Sequence, residues 1–147
     1  MNLLPFEILK LQAQPNLTLS APIAISLGAI PGALIRYYLT VIFSRLFGVS
    51  FPFGTFFINL SGSLLMGFFA TLAIEQVITS PELQLLIITG FLGSYTTFST
   101  YALDSAALLR NRHRSKALFY WLGSAILAGI CLEVGIVFAK LLAHGAS

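Results

Sequence analysis

Hydrophobic residues run along this chain in four long blocks, separated by short polar or turn-forming links. The blocks extend from about Ala21 to Phe47, Phe53 to Ile78, Pro81 to Leu109 and Lys116 to Ala143. Each meets the roughly 20 mostly apolar residues that a membrane-spanning helix needs. The links are residues 48–52, residues 79–82 and the run Arg110-Asn111-Arg112-His113-Arg114-Ser115-Lys116. Pro52 and Pro81 stand where helices begin, where a missing N–H does no harm. The pattern predicts an all-α membrane protein of four transmembrane helices, with residues 1–20 as an N-terminal extension and residues 21–147 as one four-helix domain. Residues 1–20 lack a basic start followed by an apolar run, so they do not read as a secretory signal.

The third block differs from the others. Gly90-Phe91-Leu92-Gly93-Ser94-Tyr95-Thr96-Thr97-Phe98-Ser99-Thr100-Tyr101 places two glycines and a row of hydroxyls inside a span. Glycine weakens a helix, and Ser and Thr redirect backbone hydrogen bonds. Such a segment predicts a break in the third helix. In lipid, a broken helix is tolerated only inside protein or along a cavity. Its freed carbonyls and helix ends carry partial charge, which suits ion or substrate sites. The expectation is therefore transport.

Composition narrows the class. The chain of 147 residues is 57% hydrophobic and only 9% charged, where soluble domains carry about 25% charged residues. A formal net charge of +3 is too small and too scattered for nucleic-acid binding. The single cysteine, Cys131, excludes an internal disulfide and a cysteine metal cluster. No Ser-His-Asp order, paired acid motif or phosphate-binding glycine loop is present, so nothing points to an enzyme. Arg45, Arg110, Arg112, Arg114 and Lys116 fall on one side of the predicted bundle, and Lys10 and Lys140 on the other. The positive-inside rule leans the first side toward the cytoplasm. Four helices enclose little of a pore, so oligomerisation is the default. Gly28-x-x-x-Gly32 offers close helix approach, within the chain or between chains.

Several polar groups stand inside the spans. Arg36, near the middle of span one, either attracts an anion or anchors at an interface. Asn59 in span two either donates to an ion or makes an interhelical hydrogen bond. Phe98 and Tyr101 share a face in span three. Their electropositive ring edges can meet an anion, although core or lipid-facing aromatics look the same. Tyr120 and Ser124 align at i, i+4 in span four and offer two hydroxyl donors. Glu133 reads either as a proton-binding carboxylate or as half of an ion pair.

Phe51-Pro52-Phe53-Gly54-Thr55, then Asn59-x-Ser61-Gly62-Ser63 and Gly67, then Gly90-Phe91-Leu92-Gly93 with Thr96-Thr97-Phe98-Ser99-Thr100, resembles the Fluc/CrcB fluoride channel family. Gly32-Ala33-x-x-Arg36-Tyr37 fits the same pattern. The resemblance runs from about Gly28 to the end of the chain. It implies an antiparallel, dual-topology homodimer in the cell (inner) membrane, with two fluoride pathways and a central structural sodium ion. In some relatives the dimer is a heterodimer of two oppositely fixed chains. By position, Asn59 is the pore amide and Phe98 the first pore ring. Tyr101 replaces the usual second phenylalanine. Tyr120 and Ser124 match the family's span-four hydroxyls, Arg36 its span-one arginine, and Ser99 and Thr100 line the path. The backbone carbonyls of Gly93 and Thr96 are the implied sodium ligands, four oxygens when two chains meet, which suits a hard cation. Asp104 stands where Glu is common and receives no role. The implied activity is passive export of cytoplasmic fluoride, which reduces its toxicity. The runner-up is a proton-coupled small-molecule or fluoride/proton carrier of the four-span dual-topology type, for which Glu133 would have to serve.

Overall fold

The structure, a computed structural model, describes the backbone of residues 15–145 and the side chains of residues 20–145. Most of the expected N-terminal extension, residues 1–14, lies outside the described residues. Helix α1 spans Pro15–Phe47, so it begins before the first apolar block. Helix α2 spans Phe53–Ile74. Helix α3 covers residues 81–95 in three joined parts: the turn Pro81–Gln84, a π-helical run Leu85–Leu92 and the turn Gly93–Tyr95. Helix α4 spans Phe98–Arg110 and α5 spans Arg114–Gly145. Three of these, α1, α2 and α5, are long and apolar enough to cross a membrane unbroken. The third block does so only in pieces, α3 and α4 together, and no strand is present among the described residues.

Local chemistry sets the ends. Ser80 caps α3 by accepting from the Leu83 N–H at 3.3 Å, with Pro81 in the first turn, the arrangement a helix start favours. α2 stops four residues short of the predicted end because Gln76 takes a positive φ of 58° and the Val77 N–H turns back to the Leu72 carbonyl. Arg112, with φ 59°, makes the tight turn between α4 and α5.

Packing is built on glycine. The most extensive contact pairs α2 with α5, and the next pairs α1 with α3. A Cβ on Gly67 would overlap the Leu132 carbonyl, and one on Gly135 would overlap the Leu64 carbonyl. The two helices thus meet backbone to backbone through a reciprocal pair. Gly28 lies equally close to the Leu86 carbonyl, Gly32 to the Phe91 carbonyl and the Ser94 hydroxyl, and Gly90 to the Ile25 carbonyl. The Gly28-x-x-x-Gly32 face is therefore used within the chain, against the π-helical run. Small residues allow such approach in membranes, where van der Waals contact replaces the hydrophobic drive. A Cβ on Gly129, by contrast, would meet nothing within 4 Å beyond the backbone of its own helix. The outward faces are apolar: Leu27, Ile30 and Leu34 on α1, and Ile126, Ile130 and Val137 on α5, are all exposed. In water such surface would be a liability. In a bilayer it is the lipid contact.

Candidate ion pathway

The break falls at Thr96 and Thr97, both in extended conformation, with ψ of 157° and 116°. Gly93, expected to open it, still closes a helical turn. Side-chain hydrogen bonds place the interruption. The Thr97 N–H donates to the Asn59 Oδ1 at 2.9 Å, and the Asn59 Nδ2 donates back to the Thr97 carbonyl at 3.1 Å. The Asn59 amide on α2 thus grips both backbone polar groups of one residue, Thr97, in the gap. The Thr97 hydroxyl then caps α4, accepting from the Thr100 N–H at 3.2 Å and donating to the Thr100 Oγ1 at 3.0 Å. Ser94 ties the other side of the gap to α1, donating to the Ala29 carbonyl at 3.0 Å.

Two carbonyls lose their helical partners by this. In a continuous helix the Thr97 N–H would serve the Gly93 carbonyl, and the Thr100 N–H the Thr96 carbonyl. Both donors are bound to side chains instead. Gly93 is exposed on the surface of the chain and Thr96 is half-buried. The gap therefore has a negative lip, the end of α3, beside a positive one, the start of α4.

Beside the gap lies an open groove of about 460 Å³ between α2, α4 and α5. Asn59, Phe98, Tyr101 and Ser124 all line it, together with Thr97 and Trp121. Four residues singled out from the sequence, on three different helices, so converge. Asn59 has a second amide hydrogen beyond the one given to Thr97. The Phe98 ring is 80% exposed and stands 5.8 Å from Tyr101, centroid to centroid. The Tyr101 hydroxyl donates to the Trp121 carbonyl at 2.7 Å, so its oxygen is tied to α5 while the ring borders the groove. Ser124 is only 5% exposed, and its Oγ has no hydrogen-bond partner. A serine in a helix ordinarily bonds back to the carbonyl four residues earlier. A buried hydroxyl without a partner is costly, and this one borders the groove.

The other predicted residues sit apart. Tyr120 is fully buried behind the groove, in a cluster with Leu108 and Ala117, and its hydroxyl donates to the Asp104 Oδ2 at 3.3 Å. Tyr120 and Ser124 thus face different surroundings despite their i, i+4 spacing. Ser99 is exposed and lies 3.3 Å from the Thr97 hydroxyl, and Thr100 belongs to the cap. Arg36 is half-buried on α1, outside the groove. Glu133 lies among Ile126, Ile130 and Val137, on a different face of α5 from Ser124. Sequence reasoning missed Thr97 and Asp104. Thr97 was findable: a threonine just before Phe98 and the apolar run of α4 is a helix-start signal. Asp104 had no such signal, because its partner is 16 residues away.

Comparison with known proteins extends this picture. Residues 23–136 match the family model described as CrcB-like protein, Camphor Resistance (CrcB). The chain is 56% identical to a protein of Trichormus variabilis named fluoride-specific ion channel FluC, over 87% of this chain and 94% of that one. A Synechococcus protein of the same name is 51% identical over 84% of this chain and 95% of its own length. One from Aquifex aeolicus is 38% identical over 81% and 96%.

Proposed function

This chain belongs to the CrcB-like family, and on that premise we propose that it is a fluoride-selective passive ion channel of the membrane. The observation that carries the reading is the partnerless Ser124 hydroxyl in a groove it shares with Asn59, Phe98 and Tyr101. A small anion must be offered donors in place of its water. Here they are neutral: one amide hydrogen, one hydroxyl and aromatic ring edges. Neutral donors bind without trapping, which conduction requires. Fluoride enters a cell as HF and dissociates in the less acidic interior. The membrane potential then drives the anion out, by about 2.3 kcal/mol per 100 mV. The protein is a conduit and not an enzyme.

The groove is open along one side, and Phe98 projects from it. We take the missing wall to be a second chain, in an antiparallel dual-topology homodimer set in the inner membrane. Such a dimer brings two gaps together. The carbonyls of Gly93 and Thr96, freed of their helical donors, are then the ligands of a structural sodium ion. Oxygen donors without protons suit a hard cation. When bound, the ion fixes the two gaps against each other.

The direct test is fluoride efflux from liposomes holding the purified chain, with valinomycin and potassium setting the voltage and chloride followed in parallel. Voltage-driven fluoride loss without chloride loss is expected, and chloride loss at the same rate would sink selectivity. Ser124→Ala removes the donor that nothing in the chain satisfies. In the same assay it is expected to slow efflux on the order of tenfold, the worth of one hydrogen bond to an ion, with the fold intact. Tyr101→Phe keeps the ring edge and loses only the bond to Trp121. Efflux is expected to stay within about twofold, with a stability loss of about 1 kcal/mol. A complete loss of flux would move the hydroxyl into the pathway.

A further inference from the structure

A second groove, of about 650 Å³, opens between α4 and α5 on the side of their connecting turn. Its walls are apolar. Leu109, Leu118 and Trp121 line it, each more than half exposed, and Phe98, Tyr101 and Trp121 at its inner end also border the first groove. At its loop end stands Arg114. Around that residue the chain concentrates half of its eight cations: Arg110, Arg112, Arg114 and Lys116, all exposed. Among the described residues, the acid nearest to them in sequence, Asp104, accepts from Tyr120 instead. The first turn of α5 adds the positive end of a helix to the same spot.

We propose that this groove holds an anionic phospholipid, with its headgroup on the Arg110–Arg114 cluster and an acyl chain along Leu118 and Trp121. Charge complementarity selects the headgroup, since basic pockets between transmembrane helices at the membrane surface take anionic lipids. The apolar wall selects a lipid over a soluble anion. From Arg114 to Trp121 it extends for seven residues, about 10 Å of helix, down from the charged surface and into the hydrocarbon depth. Trp121 stands at the inner end of this wall, within reach of an acyl chain.

The chain carries its own probe, because Trp121 is its only tryptophan. The full chain, reconstituted in phosphocholine bilayers, is titrated with phospholipids brominated on the acyl chain, bearing either an anionic or a phosphocholine headgroup. At equal mole fraction the anionic lipid is expected to quench Trp121 several-fold more strongly, as each surface cation strengthens binding several-fold. The triple variant Arg110→Gln/Arg112→Gln/Arg114→Gln is expected to bring the two lipids to equality, with the emission maximum unchanged in neutral bilayers. Should that variant not fold, about 1 M salt on the native chain replaces it, because screening then shrinks to about 3 Å and the preference is expected to collapse. Equal quenching by both lipids in the native chain overturns the proposal. So does quenching by neither, which would put protein, a second copy, in the groove. A preference that survives both the variant and the salt overturns the role of the arginines.

Discussion

Asn59→Asp is expected to abolish fluoride efflux, by at least a hundredfold in the liposome assay. Aspartate preserves the acceptor that holds the Thr97 N–H, so the geometry of the gap survives in part. The donor to the Thr97 carbonyl is lost, and so is the hydrogen left over for the groove. Leaving the carbonyl unpaired costs about 1–3 kcal/mol. The larger effect is electrostatic. A carboxylate placed in the groove repels the anion it should bind, at an effective dielectric far below that of water. Either effect alone is worth about tenfold or more, and they act together. Asn59→Ala adds no charge but loses both the donor and the acceptor that hold Thr97, and its efflux is expected to fall between those of the native chain and Asn59→Asp. Undiminished efflux through Asn59→Asp would remove this residue from the pathway.

Gly67→Val and Gly135→Val are expected to prevent assembly of the helix bundle. At each position even one carbon overlaps a carbonyl of the facing helix. Backbone cannot swing aside as a flexible side chain can, so α2 and α5 must separate along their length. Overpacking costs about 1–3 kcal/mol in forgiving cores and more where nothing yields. Purification in mild detergent and size-exclusion chromatography measure the outcome: aggregate or no recovered protein for either variant. Gly129→Ala supplies the control. It has open space around it and is expected to elute as the native chain does. Monodisperse Gly67→Val would show that the α2–α5 seam is looser than the contacts require.

These two predictions also mark what was legible from the sequence. The spans could be read because the bilayer imposes a length and an apolar composition that few other constraints imitate. The interruption could be read from the hydroxyls of residues 94–100. Its placement could not. It sits at Thr96–Thr97 because Asn59, 38 residues upstream, competes for the Thr97 peptide, and local propensity contains no term for that. Gly28 and Gly32 announced a close contact by their spacing, without naming the partner. The partner is the π-helical run of residues 85–92, whose wide helical register no residue type reliably signals. Asn59, Phe98, Tyr101 and Ser124 border one groove, but spacing and chemistry left each of them with a bland alternative, and only the family resemblance put them on one path. Tyr120 does not join them, because the cluster with Leu108 and Ala117 draws it to the far side of the groove wall.

The pairing of helices has a bearing on how the chain is made. Its contacts interleave: α1 closes on α3, while α2 closes on α5. A ribosome delivers the spans one at a time, N-terminal first, so α2 enters the membrane two spans ahead of its main partner. Until α5 emerges, the glycine face of α2 has only lipid or the wrong helices beside it. A chain that stops within the α4–α5 turn, at residues 111–113, would leave the Gly67 face of α2 without the helix it packs against. Helix α5 is the one that locks the molecule, because it supplies the most extensive of the helix contacts.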